Sequence, residues 1–308
     1  MQGFRFQLRY TFNMLTQETL STISLTIIGA GRVGKTLARC MYQHAPVQII
    51  DIVTRSAKSA NAAVDFIGAG TARWQMDTLA DADVFMLTVP DDQIADCCKQ
   101  LARAGKLGPN SVVFHCSGAL SSADLQAARE FGAAVASVHP IRSFADPALV
   151  SAHFASTYCG IEGDAAALEI LAPLLRAIGA VLVPVQTTSK TLYHAAAVFA
   201  SNYVVSMMSV AQNALVASGV PANSALALLL PLTRECIENV ARLGPAAALT
   251  GPIARGDTAV VARQQDAVRS WDQQVGALYE QLAIATQRLA DSRVTGAGSA
   301  PALGSNAQ

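Results

Sequence analysis

The chain has 308 residues and carries 22 Lys+Arg against 22 Asp+Glu, a formal net charge of +0. Only 14% of residues are charged and 52% are hydrophobic, against about 25% charged in ordinary soluble domains. A balanced, charge-poor chain excludes a basic nucleic-acid face as the main partner surface, and it excludes an acidic disordered protein.

The shortage is local: the 43 residues between Lys190 and Arg234 contain no Asp, Glu, Lys or Arg. Polar groups such as His194, Ser201, Asn202, Gln212 and Asn213 interrupt this run, whereas a bilayer span needs about 20 predominantly apolar residues. It is read as a helix buried on several sides, covered in part by a second subunit, and not as a membrane segment. Residues 1–21 lack a continuous apolar core and a small-residue cleavage site, so they read as an extension and not a secretory signal. The six cysteines show no CxxC or other metal spacing. Reduced thiols and a cytoplasmic location follow as expectations, with no zinc.

In chain order, 23–28 (ISLTII) predicts a strand, 35–44 a helix, 47–53 (VQIIDIV) a strand and 56–69 a helix. Further strands are predicted at 83–89, 111–116, 133–139, 154–162 and 180–185, with an amphipathic helix at 168–179 ending on Gly179. Near-continuous apolar strands alternating with helices predict a doubly wound, mostly parallel Rossmann sheet. From about 188 the pattern turns all-helical: 188–219 as one helix, then 222–244, 259–270 and 272–290. The expected organisation is an extension (1–21), a Rossmann domain (22–187), a helical dimerisation and substrate domain (188–290) and a disordered tail (291–308).

Gly29-Ala30-Gly31-Arg32-Val33-Gly34 is a GxGxxG placed between a predicted strand and helix, the context that makes this pattern a dinucleotide fingerprint. Gly29 suits the tight turn, Gly31 close approach to a pyrophosphate, and Gly34 close helix–strand packing. Arg32 and Val33 lie at the helix N-terminus, whose free N–H groups favour phosphate. Asp51 sits at the distance of an NAD ribose acid, but Ile52 and Val53 continue the strand beyond it. The strand ends instead at Thr54-Arg55-Ser56, where hydroxyls and a guanidinium suit a 2′-phosphate. NADP(H) is therefore expected ahead of NAD(H). Val89 and Pro90 end another strand and would wall the nicotinamide ribose; Asp91 and Asp92 follow, at least one of them as a helix cap.

Strand–GAGRVG–helix followed by TRS and TVPDDQI resembles the 6-phosphogluconate and 3-hydroxyisobutyrate dehydrogenase superfamily. HCSGALSS (115–122), SVHPIRSF (137–144), KTLYHAAAVFASNY (190–203) and LTGPIARGD (249–257) are similar to a bacterial group of Rossmann-like proteins, provisionally assigned as NADP oxidoreductases, with a C-terminal helical domain of unknown function. The resemblance spans roughly 22–285. It implies a helical dimerisation domain and an active site in the cleft between the two domains. Ser117 and His139-Pro140 resemble the Ser and His-Pro elements of prephenate dehydrogenases, where the His accepts the hydroxyl proton. Lys190 and Asn202 fall where hydroxyacid dehydrogenases carry a Lys and an Asn, but His194 stands at i+4 where those enzymes have Asn.

From the residues themselves, His139 at a strand end is either a general acid/base or a structural His before a Pro turn. Lys190 and His194 share a helix face one turn apart, with Asn202 further along. Ser117 could bond substrate, and Gly118 could admit the nicotinamide closely. Arg142 and Arg255 are the cations available to a substrate carboxylate. The expected activity is hydride transfer between NADP(H) and a small carbonyl or hydroxyl compound. A deazaflavin-linked NADP oxidoreductase and a non-catalytic NADP sensor are the alternatives.

Overall fold

The computed structural model describes residues 22–294. The predicted extension and most of the predicted tail lie outside them. The chain divides into two compact units, 1–199 and 200–308.

The first unit contains eight strands: β1 (Ile23–Ile28), β2 (Val47–Val53), β3 (Thr71–Arg73), β4 (Val84–Leu87), β5 (Val112–His115), β6 (Ala134–Pro140), β7 (Tyr158–Gly163) and β8 (Val181–Pro184). Its helices are α1 (Arg32–His44), α2 (Ala57–Ile67), α3 (Ile94–Arg103), α4 (Gln126–Arg129), α5 (Pro147–Ala152), α6 (Ala165–Ala177) and α7 (Lys190–Ala200). The strands form one sheet in the order β3-β2-β1-β4-β5-β6-β7-β8. The first six are parallel; β7 pairs antiparallel with β6, and β8 parallel with β7. The 3-2-1-4-5-6 arrangement is that of a doubly wound dinucleotide-binding sheet, whose crevice lies where the order reverses, outside the C-terminal ends of β1 and β4.

Both faces of the sheet are covered, which is why its strands are apolar almost throughout. On one face Leu25, Ile27, Met86 and Phe114 pack with Leu37 and Met41 of α1 and Leu171 of α6. On the other, Ile28, Phe85, Leu87 and Val113 pack with Ile94, Cys98 and Leu101 of α3. Neighbouring residues of one strand enter opposite cores, as the period of two requires.

Asp51 is buried in this framework, 1% exposed. It accepts the Nε–H of Arg73 at 2.9 Å and the backbone N–H of Ala80 at 2.7 Å. Its carboxylate anchors β3 and the segment behind it.

The second unit is helical: α8 (Asn202–Ala217), α9 (Ala222–Leu243), α10 (Pro245–Ala248), α11 (Thr258–Trp271) and α12 (Gln273–Val294). The single helix predicted for 188–219 is two, because Ser201 adopts φ −129° and ψ −75° and leaves the helical region. Its carbonyl then accepts the N–H of Val205, starting α8 afresh. The Gly/Pro-rich segment predicted as a connection contains α10 and a 3₁₀ turn at Ile253–Arg255. Thr187–Ala217 is long and apolar enough by composition to cross a membrane, with mean hydropathy 1.2. Its first helix is nevertheless tied to the sheet, since Lys190 is 2% exposed and donates to Ser117, just beyond β5, and to Ser137 of β6.

Candidate active site

The fingerprint occupies the β1–α1 turn. Gly29 has φ +87°, and a Cβ on it would lie 2.8 Å from the Thr88 carbonyl carbon and the Val89 nitrogen. Both glycine properties are needed there, the left-handed backbone and the missing side chain. Gly34 faces β4 so closely that a Cβ would overlap the Thr88 hydroxyl and lie 2.6 Å from the Gly29 carbonyl oxygen. Gly31 is different: nothing lies within 4 Å of the position its Cβ would take. It is the N-cap of α1 and makes no side-chain capping bond, so the helix presents uncapped N–H groups to an open space. A cavity of about 120 Å³ adjoins the turn, lined by Val33, Thr88, Val89, Asp91, Cys116 and Ser117 among others. An open helix N-terminus beside a cavity at the strand ends fits a dinucleotide pyrophosphate and the ring beyond it.

At the end of β2, Arg55 is exposed. Ser56 caps α2, its Oγ accepting the Ser59 N–H at 3.2 Å. Thr54 donates its hydroxyl to the Ser56 carbonyl at 2.9 Å. These two hydroxyls thus shape the turn, while Arg55 and Lys58 remain exposed at the surface beyond β2. Arg32 is likewise exposed at the start of α1, and Pro90 is exposed beyond β4.

A second group of polar residues gathers where β5, β6 and α7 meet. His115, fully buried, has Nε2 2.9 Å from the Ser121 carbonyl and Nδ1 3.2 Å from the Ser117 N–H. The Nε2–H tautomer satisfies both contacts, and burial holds the ring's pKa below the ordinary imidazole value. His115 therefore braces the 116–121 turn. Ser117 donates its Oγ–H to Asp91 Oδ2 at 2.7 Å and accepts the N–H groups of Ala119 and Leu120. Neither Asp91 nor Asp92 caps α3, whose N-cap is Gln93 without a side-chain bond. The Asp91 carboxylate is turned into the cavity by Ser117.

Lys190 opens α7, and its ammonium donates to the Ser117 carbonyl at 3.1 Å and to Ser137 Oγ at 2.8 Å. Burial pushes its pKa below the ordinary lysine value, and the carboxylate of Glu162 opposes that shift. Glu162 is itself 5% exposed and accepts from the Ser122 N–H and Oγ–H and from the Thr187 hydroxyl. Two of the three lysine donors are thus spent on fixing the 117 turn against β6.

His139, near the end of β6, lies edge-on to two rings of α7: Tyr193 at 5.6 Å and His194 at 5.4 Å between centroids. Its Nδ1 is 3.1 Å from the Tyr193 hydroxyl. Burial first, then the nearby Lys190 and His194, push its pKa down to about 4, so the ring is neutral at pH 7. Gly118 is seated against both histidines: a Cβ there would overlap His194 Nδ1 and lie 2.8 Å from His139 Nε2. The need for glycine at 118 is thus set by these two rings, whatever else approaches it. His194 Nδ1 is buried and has no hydrogen-bond partner among the described residues.

The structure therefore brings Ser117, Gly118, His139, Lys190 and His194 together, and adds Asp91 and Tyr193. Tyr193 was not singled out in the sequence, where an aromatic on an apolar helix reads as packing; its i+3 spacing from Lys190 was the available signal. Arg142 stands apart. Its guanidinium bonds the His153 carbonyl and, at 3.0 Å, Thr157 Oγ1 in the segment between α5 and β7. Asn202 and Arg255 belong to the second unit, exposed at the first residue of α8 and in the 3₁₀ turn before α11.

Two family models match the chain, a Rossmann-like domain over residues 14–140 and a domain of unknown function (DUF2520) over residues 157–286. The first defines the class: a Rossmann-like protein built around a dinucleotide-type turn. The chain thus carries a Rossmann-like domain followed by a DUF2520 domain, the pairing its motifs suggested. Among solved structures it is similar to protein TM1727 of Thermotoga maritima, with 26% identity and TM-score 0.68 over 87% of this chain and 99% of that one. A provisionally assigned NADP oxidoreductase of Bacteroides fragilis gives 21% identity and TM-score 0.69 over 86% and 98%. An imine reductase from Myxococcus stipitatus, in complex with NADP+, gives 14% identity and TM-score 0.59 over 89% and 96%. At those identities the last two likenesses concern the fold. No curated protein sequence matches the chain.

Proposed function

We propose that the protein is an NADP-dependent oxidoreductase acting on a small carbonyl or imine compound, or on the corresponding alcohol or amine. The observation that carries this reading is the adjacency of two features through the 116–118 turn. One is the open fingerprint at the β1–β4 reversal; the other is the cluster of His139, Tyr193, His194 and Lys190. The NADP complex of the imine reductase with a similar fold supports the cofactor class and is the reason for including C=N compounds in the proposal.

Gly29, Gly31, Val33 and Gly34, with the N-terminus of α1, would hold the pyrophosphate, and Arg55 with Lys58 a 2′-phosphate. Val89, Pro90 and Asp91 would border the nicotinamide half. When bound, the nicotinamide supplies the hydride-transfer chemistry. The chain's own part is to manage the proton and charge at the reacting atom. His139, neutral at pH 7 and beside the turn that lines the cavity, exchanges a hydrogen bond or proton with that atom. Lys190 keeps the 117 turn in place and lends positive potential to the site. Ser117 holds Asp91 in one orientation.

The reading is tested by following NADPH oxidation with a panel of ketones, oxo acids, cyclic imines and a deazaflavin. Turnover should appear with a carbonyl or imine. His139→Ala should lower kcat by about 10²- to 10⁴-fold, the usual contribution of a general acid/base, with NADPH affinity kept. NADPH binding without turnover on any of these compounds refutes the enzyme reading, and full activity in His139→Ala refutes the site.

Cytoplasmic residence and a homodimer complete the proposal. In the second unit, Val205 of α8 and Leu228, Leu232 and Ile237 of α9 are 71%, 58%, 59% and 57% exposed. Large apolar side chains so exposed on two successive helices call for cover, and a second copy supplies it. Sedimentation as a monomer at micromolar concentration would overturn the dimer.

A further inference from the structure

Tyr193 belongs to the cluster without a stated role in the chemistry, yet its hydroxyl is held in one place by two independent features. It lies 3.1 Å from His139 Nδ1, and it presses on β7 at a glycine. A Cβ at Gly160 would overlap the hydroxyl and lie 2.7 Å from the ring carbon that bears it. Gly160 pairs with His139 across the β6–β7 ladder, so the strand carrying the histidine and the strand admitting the tyrosine are in fixed register. Only a residue without a side chain at 160 lets a phenol from α7 reach the histidine of β6.

We infer that Tyr193 is a positioning residue that donates its hydroxyl proton to His139 Nδ1 and so holds the neutral ring in its Nε2–H tautomer, with that N–H directed over Gly118. The direction follows from the two groups. A phenol O–H is a far stronger acid than a neutral imidazole N–H, and the unprotonated imidazole nitrogen is a better acceptor than a phenolic oxygen. In a histidine the proton goes to the nitrogen opposite the one that accepts. The ring's other end agrees with this: Cε1 and Nε2 both lie 2.8 Å from the position a Cβ on Gly118 would take, beside the turn that lines the cavity. His194 Nδ1 comes to the same spot from the other side, buried and without a partner among the described residues.

The consequence for chemistry rests on the reading of His139 as the group at the reacting atom. A neutral histidine with Nε2–H foremost is a hydrogen-bond donor, so it polarises a carbonyl oxygen or an imine nitrogen. It does not take a proton from an alcohol in that state. The tyrosine thereby keeps the site in the donor form that a carbonyl or imine substrate meets.

Nitrogen-15 NMR of the full-length protein, labelled at histidine and assigned with His139→Gln, reads the tautomer directly at pH 7. The wild type should show the His139 Nε2 resonance of a protonated nitrogen and an Nδ1 resonance of a hydrogen-bonded acceptor. In Tyr193→Phe, which removes only the hydroxyl, the Nδ1 resonance should shift towards that of an unbonded acceptor. Gly160→Ala should produce the same shift with the tyrosine still present. Loss of one orienting hydrogen bond should lower kcat for the reduced substrate about 5- to 10-fold, with KM for NADPH unchanged. A wild-type proton on Nδ1, or identical spectra in wild type and Tyr193→Phe, overturns the inference whatever the turnover. If the tautomer is Nε2–H but His139→Gln turns over normally, the placement of Tyr193 stands, while the role of His139 at the reacting atom falls.

Discussion

Two glycines of one fingerprint should respond in opposite ways to the same added methyl group. At Gly34 an added Cβ meets the Thr88 side chain and, at 2.6 Å, the Gly29 carbonyl oxygen. Thr88 can rotate, giving up the bond it donates to that carbonyl; the carbonyl is backbone and can only move with the turn. Overpacking of this kind costs about 1–3 kcal/mol, from which the better helix propensity of Ala recovers about 0.5–1 kcal/mol. Gly34→Ala should therefore lower the free protein's stability by about 1–2 kcal/mol. In a unit of this size that is roughly 2–8 °C in Tm.

Gly31→Ala adds its methyl to open space at an ordinary backbone conformation, φ −67°. Only the weaker N-cap preference of Ala counts, about 0.5 kcal/mol. Its Cβ does occupy the approach to the α1 N-terminus, so NADPH should bind at least tenfold more weakly. Thermal melts of both variants with and without NADPH, with fluorescence titrations, separate the two effects. If Gly31→Ala destabilises the free protein as much as Gly34→Ala does, or binds NADPH as the wild type does, the placement of the pyrophosphate is wrong.

Arg55→Ala should weaken NADPH by about 10- to 100-fold, the worth of a charge-assisted phosphate contact, and leave NADH nearly unaffected; equal losses measured by titration would refute the 2′-phosphate site. The pKa of His139 in the folded chain, about 4, lies below the unfolded value of 6.5. The unfolded state therefore binds more protons between those pH values, and stability should fall as pH drops from about 6.5 towards 4. Buried His115 acts in the same sense. Urea denaturation across that range should show a shallower decline in His139→Gln than in wild type; an equal slope would mean that the ring is solvated. Lys190→Met removes the ties to Ser117 and Ser137 and leaves Glu162 buried without its counter-charge. It should cost about 3 kcal/mol, measured by the same denaturation, and a neutral effect would show that the lysine is dispensable for the turn.

Strands and helices with strong local patterns were legible in the sequence. β1 and β2 begin and end at the predicted residues because segments rich in Ile, Val and Leu there are bounded by turn chemistry. β3 was not, since Thr-Ala-Arg has no pattern of its own and exists through its pairing with β2. The reversal of β7 was equally invisible: alternation shows that a strand is half-buried and says nothing of its direction. At the candidate site, His139 and Ser117 were singled out by a resemblance and because strand ends in such sheets face the crevice, and Lys190 and His194 by a resemblance and because they are one turn apart. What the sequence does not carry is the long-range pairing. Ser117 with Asp91 spans 26 residues and Tyr193 with His139 spans 54. Arg142 illustrates the converse, a cation in a promising loop whose guanidinium is bound to its own scaffold.

The antiparallel strand β7 has an effect on the order of the site. Lys190 meets Ser137 and Tyr193 meets His139, so α7 travels alongside β6 in the same direction, from its middle to its C-terminal end. One helix can thus read along one strand, delivering first the ammonium that secures the turn and then the phenol and the second imidazole. Because β7 and β8 both descend from the crevice end of the sheet, the chain leaves β8 level with Val138 and heading away from that end, and turns back towards it as α7. With both strands reversed, a helix turning back from β8 would run against β6 and pass the histidine before the serine. The direction of a single strand, outside the dinucleotide-binding core, decides the sequence in which α7 presents its chemistry.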